Sequence, residues 1–206
     1  MSLPKHILTA KERKIFQSLN TPRKIQDFLE IIPVNFERMG ETCMSPRRLL
    51  KNRVAHCMEG ALFAAAALWY HGQRPLVLDL RATEKDDDHV VAVFRQNGHW
   101  GAISKTNHAV LRYREPVYRT VRELVLSYFH EYFLNDGRKT LREYSQLFDL
   151  SRFGFTWVTA SEDLWHIPET LDDSPHQRII SRSMATRLRR ADRIEIKAGK
   201  LTQWKK

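Results

Sequence analysis

Apolar residues fall at helical spacing three times in the first fifty positions, and each run is announced by a hydroxyl side chain. Thr9-Ala-Lys-Glu12 has capping-box spacing ahead of Ile15, Phe16 and Leu19. Thr21-Pro22 opens a second run, Ile25, Phe28, Leu29 and Ile32, with proline at the first helical position. Ser45-Pro46 repeats the device before Leu49 and Leu50. The longest helical pattern covers about His56 to His71, is apolar around most of its circumference, and ends at Gly72. Such a helix belongs inside a domain and not on its surface.

The period then changes to two. Pro75 to Leu80 and His89 to Arg95 read as strands separated by a polar loop, Ala82 to Asp88. Asn97-Gly98 predicts a tight hairpin with Trp100 to Ser104 returning antiparallel. Ala109 to Leu111 is a further apolar piece. An amphipathic helix is predicted from about Val117 to Phe133, stopping at Asn135-Asp-Gly137. Beyond it the pattern predicts a turn of helix near Leu141, a strand at Phe155–Thr159, a helix capped by Ser161, and a basic helix from about Ser174 to Asp192. Helices, an antiparallel sheet, then helices again define an α+β fold.

Charge changes this picture less than its total implies. The formal net charge is +10, but residues 178–206 hold ten Lys/Arg against two acids, leaving the preceding 177 residues close to neutral. We therefore expect an α+β domain over 1–177 and a basic helix and tail over 178–206, docked as an extension. Arg182, Arg187, Arg189, Arg190 and Arg193 make that extension a candidate surface for an acidic partner or nucleic acid. Its only ring is Trp204, which argues against stacking on single-stranded bases. No stretch has the length and apolarity of a membrane span, and no signal core opens the sequence, so a cytoplasmic protein is expected. Two cysteines exclude a disulfide framework and a multi-cysteine zinc site, and no phosphate loop or dinucleotide fingerprint occurs. Neither a cofactor nor a metal is expected.

The candidate chemistry is a cysteine and a histidine. Cys57 stands at the start of the buried helix, where the helix dipole and unpaired N–H groups favour thiolate. His89 begins a strand directly after Asp86-Asp87-Asp88, and a histidine paired with a thiol serves as base and then acid. The three aspartates read as a solvated loop whose field favours the protonated imidazole, not as a metal site. Across the hairpin, a two-residue loop makes opposed positions sum to 195. Ser104 then lies diagonally from His89 on one face, about 7–8 Å away between backbones. A three-residue loop brings Asn107 there instead. Glu59 reads as a helix-dipole partner or buried anchor, His56 as a cap or surface residue, and Cys43 as structural. Gly60 allows close packing, Trp100 is core or cleft wall, and Asp79 is a structural carboxylate or a remote alternative as the orienting acid.

Cys57 with Glu59-Gly60-Ala61, the alanine-rich helix behind them, Gly72, His89 with its apolar strand, and Trp100 together resemble the transglutaminase-like branch of the papain-like cysteine enzymes. The resemblance covers roughly residues 25 to 106. It implies a papain-like α+β core in which a central cysteine-bearing helix packs on an antiparallel sheet. It also implies a Cys57 nucleophile, a His89 general base and acid, and a thioester formed from a peptide or other amide, resolved by water or an amine. That family places Asp four residues after the strand tryptophan, and here the position is Ser104. The expected function is thus a cysteine protease, amidase or acyltransferase. The alternatives are a catalytically degenerate binding module of the same fold, or a nucleic-acid or acidic-partner binder acting through its basic tail.

Overall fold

The computed structural model describes residues 2–205. Three capped helices open it. Thr9 and Glu12 exchange side-chain and backbone hydrogen bonds at the start of α1 (Ala10–Ser18), and Thr21 and Ser45 cap α2 (Pro22–Glu30) and α3 (Pro46–Asn52). They surround α4 (Cys57–Tyr70), in which every residue from Met58 to Tyr70 is buried. Phe63 lies between the rings of Phe16 and Phe28, at 5.4 and 5.1 Å. Full burial of one such ring contributes about 2–3 kcal/mol.

Strands β1 (Leu76–Arg81), β2 (His89–Gln96) and β3 (His99–Ile103) form an antiparallel meander. Asn97 and Gly98 both have positive φ (49° and 81°), as a two-residue turn matched to strand twist requires. The register pairs Gln96 with His99 and Ala92 with Ile103, so opposed residues sum to 195. Strand β4 (Arg114–Tyr118) adds to β3, and β5 (Glu143–Ser145) and β6 (Phe148–Asp149) both pair with β1. One sheet face, with Val77, Ala92, Phe94 and Ile103, packs on α4. The opposite face, with Leu78, Leu80, Val91, Val93 and Ala102, packs on α5 (Val121–Phe129). The result is an α+β architecture of three layers. Among the described residues no helix is long and apolar enough to cross a membrane.

The later half departs from the sequence pattern at several points. The expected helix over 117–133 is only α5, because Thr120 caps it at Glu123 and Arg114–Tyr118 is drawn into the sheet as a strand. Pro116 fits that strand, which is the last in this direction and needs no ladder donor there. The expected strand at 155–159 is a helical turn, α6 (Thr156–Thr159), which buries Trp157 parallel to Trp69 at 6.1 Å. Short apolar runs carry no period that separates the two states. Leu141 is fully buried just before β5 and not in a helix. Ser161 caps nothing: α7 (His166–Asp172) starts later, at Trp165.

The basic helix expected over 174–192 is broken into pieces. His176–Arg178 forms β7 on the edge of β5, α8 spans only Arg182–Ala185, and α9 covers Arg193–Gly199. Ser174-Pro175 copies the Ser-Pro helix start used at Ser45. Here the chain leaves it extended, and the backbone of β7 finds partners in β5. Ile179 continues the pairing, its N–H donating to the Arg142 carbonyl while its side chain is buried. Of the expected tail 178–206, Lys206 lies outside the described residues, the Ala191 N–H donates to the Gly137 carbonyl, and residues 199–204 meet the earlier chain through contacts given below. Arg182, Arg187, Arg189, Arg190 and Arg193 are exposed, with Arg189 paired to Asp192.

Candidate active site

Cys57 is the first residue of α4, and the sequence around it builds the helix start from side chains. Glu59 is fully buried and its carboxylate accepts four hydrogen bonds. They come from the backbone N–H of His56 (3.0 Å) and Met44 (3.0 Å), the Thr42 hydroxyl (2.8 Å) and the Asn35 amide (3.2 Å). The loop ahead of α3 is thereby tied to the first turn of α4. Glu59 is the buried anchor that the sequence allowed for.

His56 holds the position before Cys57, and its role exceeds that of a cap. Its Nε2–H donates to the Thr42 carbonyl at 2.8 Å, with the Glu59 and Glu37 carboxylates at 3.5 and 3.8 Å. A carbonyl only accepts, so Nε2 carries a proton, and the neighbouring Cys57 thiol favours the charged ring. Burial opposes a charge on His56, but the bond to Cys57 and the charge of Glu59 outweigh it, raising the imidazole to about 9.

His89, the first residue of β2, lines the same cleft as Cys57 and also favours the Cys57 thiolate. Its Nε2 lies 2.8 Å from Ser104 Oγ, so the diagonal expected from the hairpin register is the one observed. Ser104 Oγ donates its single proton to the Leu111 carbonyl at 2.5 Å. The serine oxygen therefore accepts from His89, which places a proton on Nε2 and turns Nδ1 to Cys57. Ser104 is itself gripped by Gln26 of α2, whose amide accepts from the Ser104 N–H (2.9 Å) and donates to its carbonyl (2.8 Å). Nothing in the pattern of α2 marks Gln26 for this role, since the contact spans 78 residues.

Burial pushes the Cys57 thiol up, yet the hydrogen bonds and positive charge of His56 and His89 bring it down to about 5. Cys43 behaves in the opposite way. It is almost completely buried, and burial followed by the charge of Glu59 raises it to about 12. Two cysteines of one chain thus lie at opposite ends of thiol reactivity.

The other sequence candidates fall elsewhere. Asn107 does not reach His89: its amide is spent on the backbone of Trp204. Asp79 pairs across the ladder with Val90, one residue past His89, so its side chain leaves by the other face and meets His176 Nε2 at 3.0 Å. Trp100 is partly buried against the α5 side of the sheet. The aspartate loop is anchored and not merely solvated. Asp86 accepts from Thr140, Asp88 from the Ala82 N–H, and the Asp87 carbonyl from Tyr132. Among the described residues one carboxylate set, Asp79, Asp88 and Asp172, is close enough to share a cation. The Arg81 guanidinium already sits among these groups, paired with Asp172 and 4.0 Å from the other two.

An open cleft of about 490 Å³ exposes Cys57, which is partly accessible. His56 and His89 line it together with the aspartate loop, Lys105–His108, Tyr132–Asn135 and residues of α9. Gly60 lets the segment after Ser104 approach α4, because a Cβ there would sit 2.3 Å from Lys105 Cβ. Gly60→Ala is expected to cost about 1–3 kcal/mol through overpacking against the root of a side chain. Thermal unfolding measures it, and an unchanged midpoint would show that Lys105 moves freely. No family model matches the chain, and no curated protein matches it either.

Proposed function

We infer that this protein is a cysteine-dependent acyl-transfer enzyme acting on amide bonds, with a papain-like, transglutaminase-like core. One observation carries the reading: a thiol at a helix start, in an open cleft that it shares with two imidazoles whose Nε2 atoms are both held. The Cys57 sulfur attacks the carbonyl carbon, forming a C–S bond as the C=O pair moves to oxygen. First-turn N–H groups of α4, which lack helical acceptors, stabilise that oxyanion. Collapse breaks the C–N bond, and His89 Nδ1 delivers a proton to the departing amine. Water or a second amine then loses a proton to the same nitrogen as it attacks the thioester, and Cys57 leaves as thiolate. Hydrolysis and transfer share these residues. The intact geometry around Cys57 supports the active reading over a degenerate binding module.

The test uses p-nitrophenyl acetate. Acetylation of Cys57, seen as a mass increase on its peptide with release of nitrophenolate, followed by discharge to water or an added amine, is the expected result. An acetyl group found on no cysteine, or one on Cys57 that is never discharged, overturns the reading. Ser104→Ala separates the two histidines. Discharge should slow about 10–100-fold, because His89 loses the acceptor that orients it. Iodoacetamide labelling of Cys57 should change little, because His56 still supports the thiolate.

A further inference from the structure

Residues 199–204 run beside the Cys57 cleft in a manner unlike ordinary packing. The chain pairs antiparallel with 107–109: the Ala109 N–H donates to the Leu201 carbonyl (3.0 Å), and the Gln203 N–H to the Asn107 carbonyl (2.9 Å). The Asn107 side chain then clasps the backbone of one residue across its two flanking peptide units, accepting from the Trp204 N–H at 2.8 Å and donating to its carbonyl at 3.0 Å. His108 Nδ1 donates to the Gly199 carbonyl at 2.8 Å. Every one of these bonds engages the backbone of the segment. Its side chains contribute little: Leu201 is 64% exposed, and Thr202 and Gln203 are exposed as well. Gln203 uses its side chain, donating to the Glu30 carbonyl and accepting from Arg112, and Trp204 is half-buried with its indole nitrogen inaccessible.

A strand held mainly by its main chain, with Leu201 and Thr202 exposed and Gln203 and Trp204 adding side-chain contacts, is how extended peptides are recognised with limited dependence on sequence. The receiving residues also belong to the catalytic cleft, since Asn107 and His108 line it together with Cys57 and His89, and Gly199 and Lys200 close it from the segment's side. We propose that Asn107–Ala109 is a backbone-reading subsite for extended peptide substrates, and that residues 201–204 occupy it in cis as an intramolecular competitor. This rests on the reading of Cys57 as nucleophile and narrows its substrates to unfolded peptide segments. Because the occupant is tethered, its effective concentration is of millimolar order, and a peptide in trans competes poorly until the segment is released.

Gln203→Pro in the full chain releases it, removing the N–H that reaches Asn107 and the side chain that holds Glu30 and Arg112. The probe is a fluorescein-labelled, amide-capped peptide with the sequence of residues 198–204, followed by fluorescence anisotropy. Gln203→Pro should bind it at least about tenfold more tightly than the unaltered protein. Adding Asn107→Ala to that variant should return binding to the weak level. The bound peptide should also slow iodoacetamide labelling of Cys57 in Gln203→Pro. Equal binding by the unaltered and Gln203→Pro proteins, or binding indifferent to Asn107, overturns the subsite. If circular dichroism shows Gln203→Pro unfolded, Gln203→Ala substitutes, with about threefold tighter binding expected and no change overturning the proposal. A Cys57 labelled no faster than Cys43 in any of these proteins defeats the nucleophile reading alone, because peptide binding still judges the subsite.

Discussion

Iodoacetamide is expected to alkylate Cys57 at a nearly constant rate from about pH 6 to about pH 8, where an ordinary thiol gains about tenfold per unit. The cause is the site's two imidazoles, which bring the thiol down to about 5 from the ordinary 9.0. A depressed pKa keeps the thiolate above it and loses the thiolate as pH falls through it, so the acid limb lies near about 5. At about pH 6 the thiolate fraction exceeds that of an unperturbed thiol by about a thousandfold. The lower basicity of the sulfur returns about sixty of this, leaving a net gain of about tenfold or somewhat more. A second, upward step is expected above about 9, where His56 gives up its proton and the sulfur becomes more basic. His56→Ala should abolish that step and move the acid limb upward. A profile rising steadily to about pH 9 in the unaltered protein would mean that the imidazoles do not ionise Cys57. Cys43 supplies the internal control: pushed up to about 12 and buried, it should stay unlabelled until the fold is lost.

Glu59→Ala is expected to be the most damaging substitution for stability. The carboxylate is wholly inaccessible and is the shared acceptor of four donors from three separate segments. Removing it leaves two backbone N–H groups, a hydroxyl and an amide facing a void, each costing about 1–3 kcal/mol where nothing replaces the partner. Allowing for relaxation, about 3–5 kcal/mol in total is expected, or a midpoint about 6–20 °C lower for a chain of this size. Glu59→Gln keeps the shape but turns an NH₂ group toward donors, and should fall between. A midpoint lowered by less than about 2 °C for Glu59→Ala would show that water serves the same donors. The loss should reach Cys57 as well, since Glu59 is one of the charges sustaining the protonated His56.

The sequence made the first half of this structure legible because its signals there are local. Thr9, Thr21 and Ser45 each cap the helix that their spacing marks, and Asn97-Gly98 fixes a register from which the meeting of His89 and Ser104 follows by counting. The second half is governed by partners that are distant in sequence. Arg114–Tyr118 is a strand because β3 offers an edge, and His176–Arg178 is one because β5 does, although the same residues pattern well as helix ends. The site divides in the same way. Cys57 and His89 announce themselves by position. Gln26 does not, for its grip on Ser104 exists only after α2 has docked on the hairpin. His56 was visible but undervalued: a histidine at the cap reads as structural until its far nitrogen is found fixed on Thr42.

Gln26 has a consequence for how activity fails on heating. The ionised sulfur draws on His56, held within one helix start and its adjoining loop, and so keeps part of its support when His89 is misaligned. The alignment of His89 depends on a contact between elements far apart in the chain, and such contacts open in subglobal fluctuations before the core does. Labelling and turnover should therefore have separate melting curves. Once α2 lifts from the hairpin, the protein keeps a sulfur that reacts with small electrophiles but loses the means to release what it has captured. Under the proposed acyl transfer, mild heating in the presence of an acyl donor is expected to leave a self-trapped acyl-enzyme.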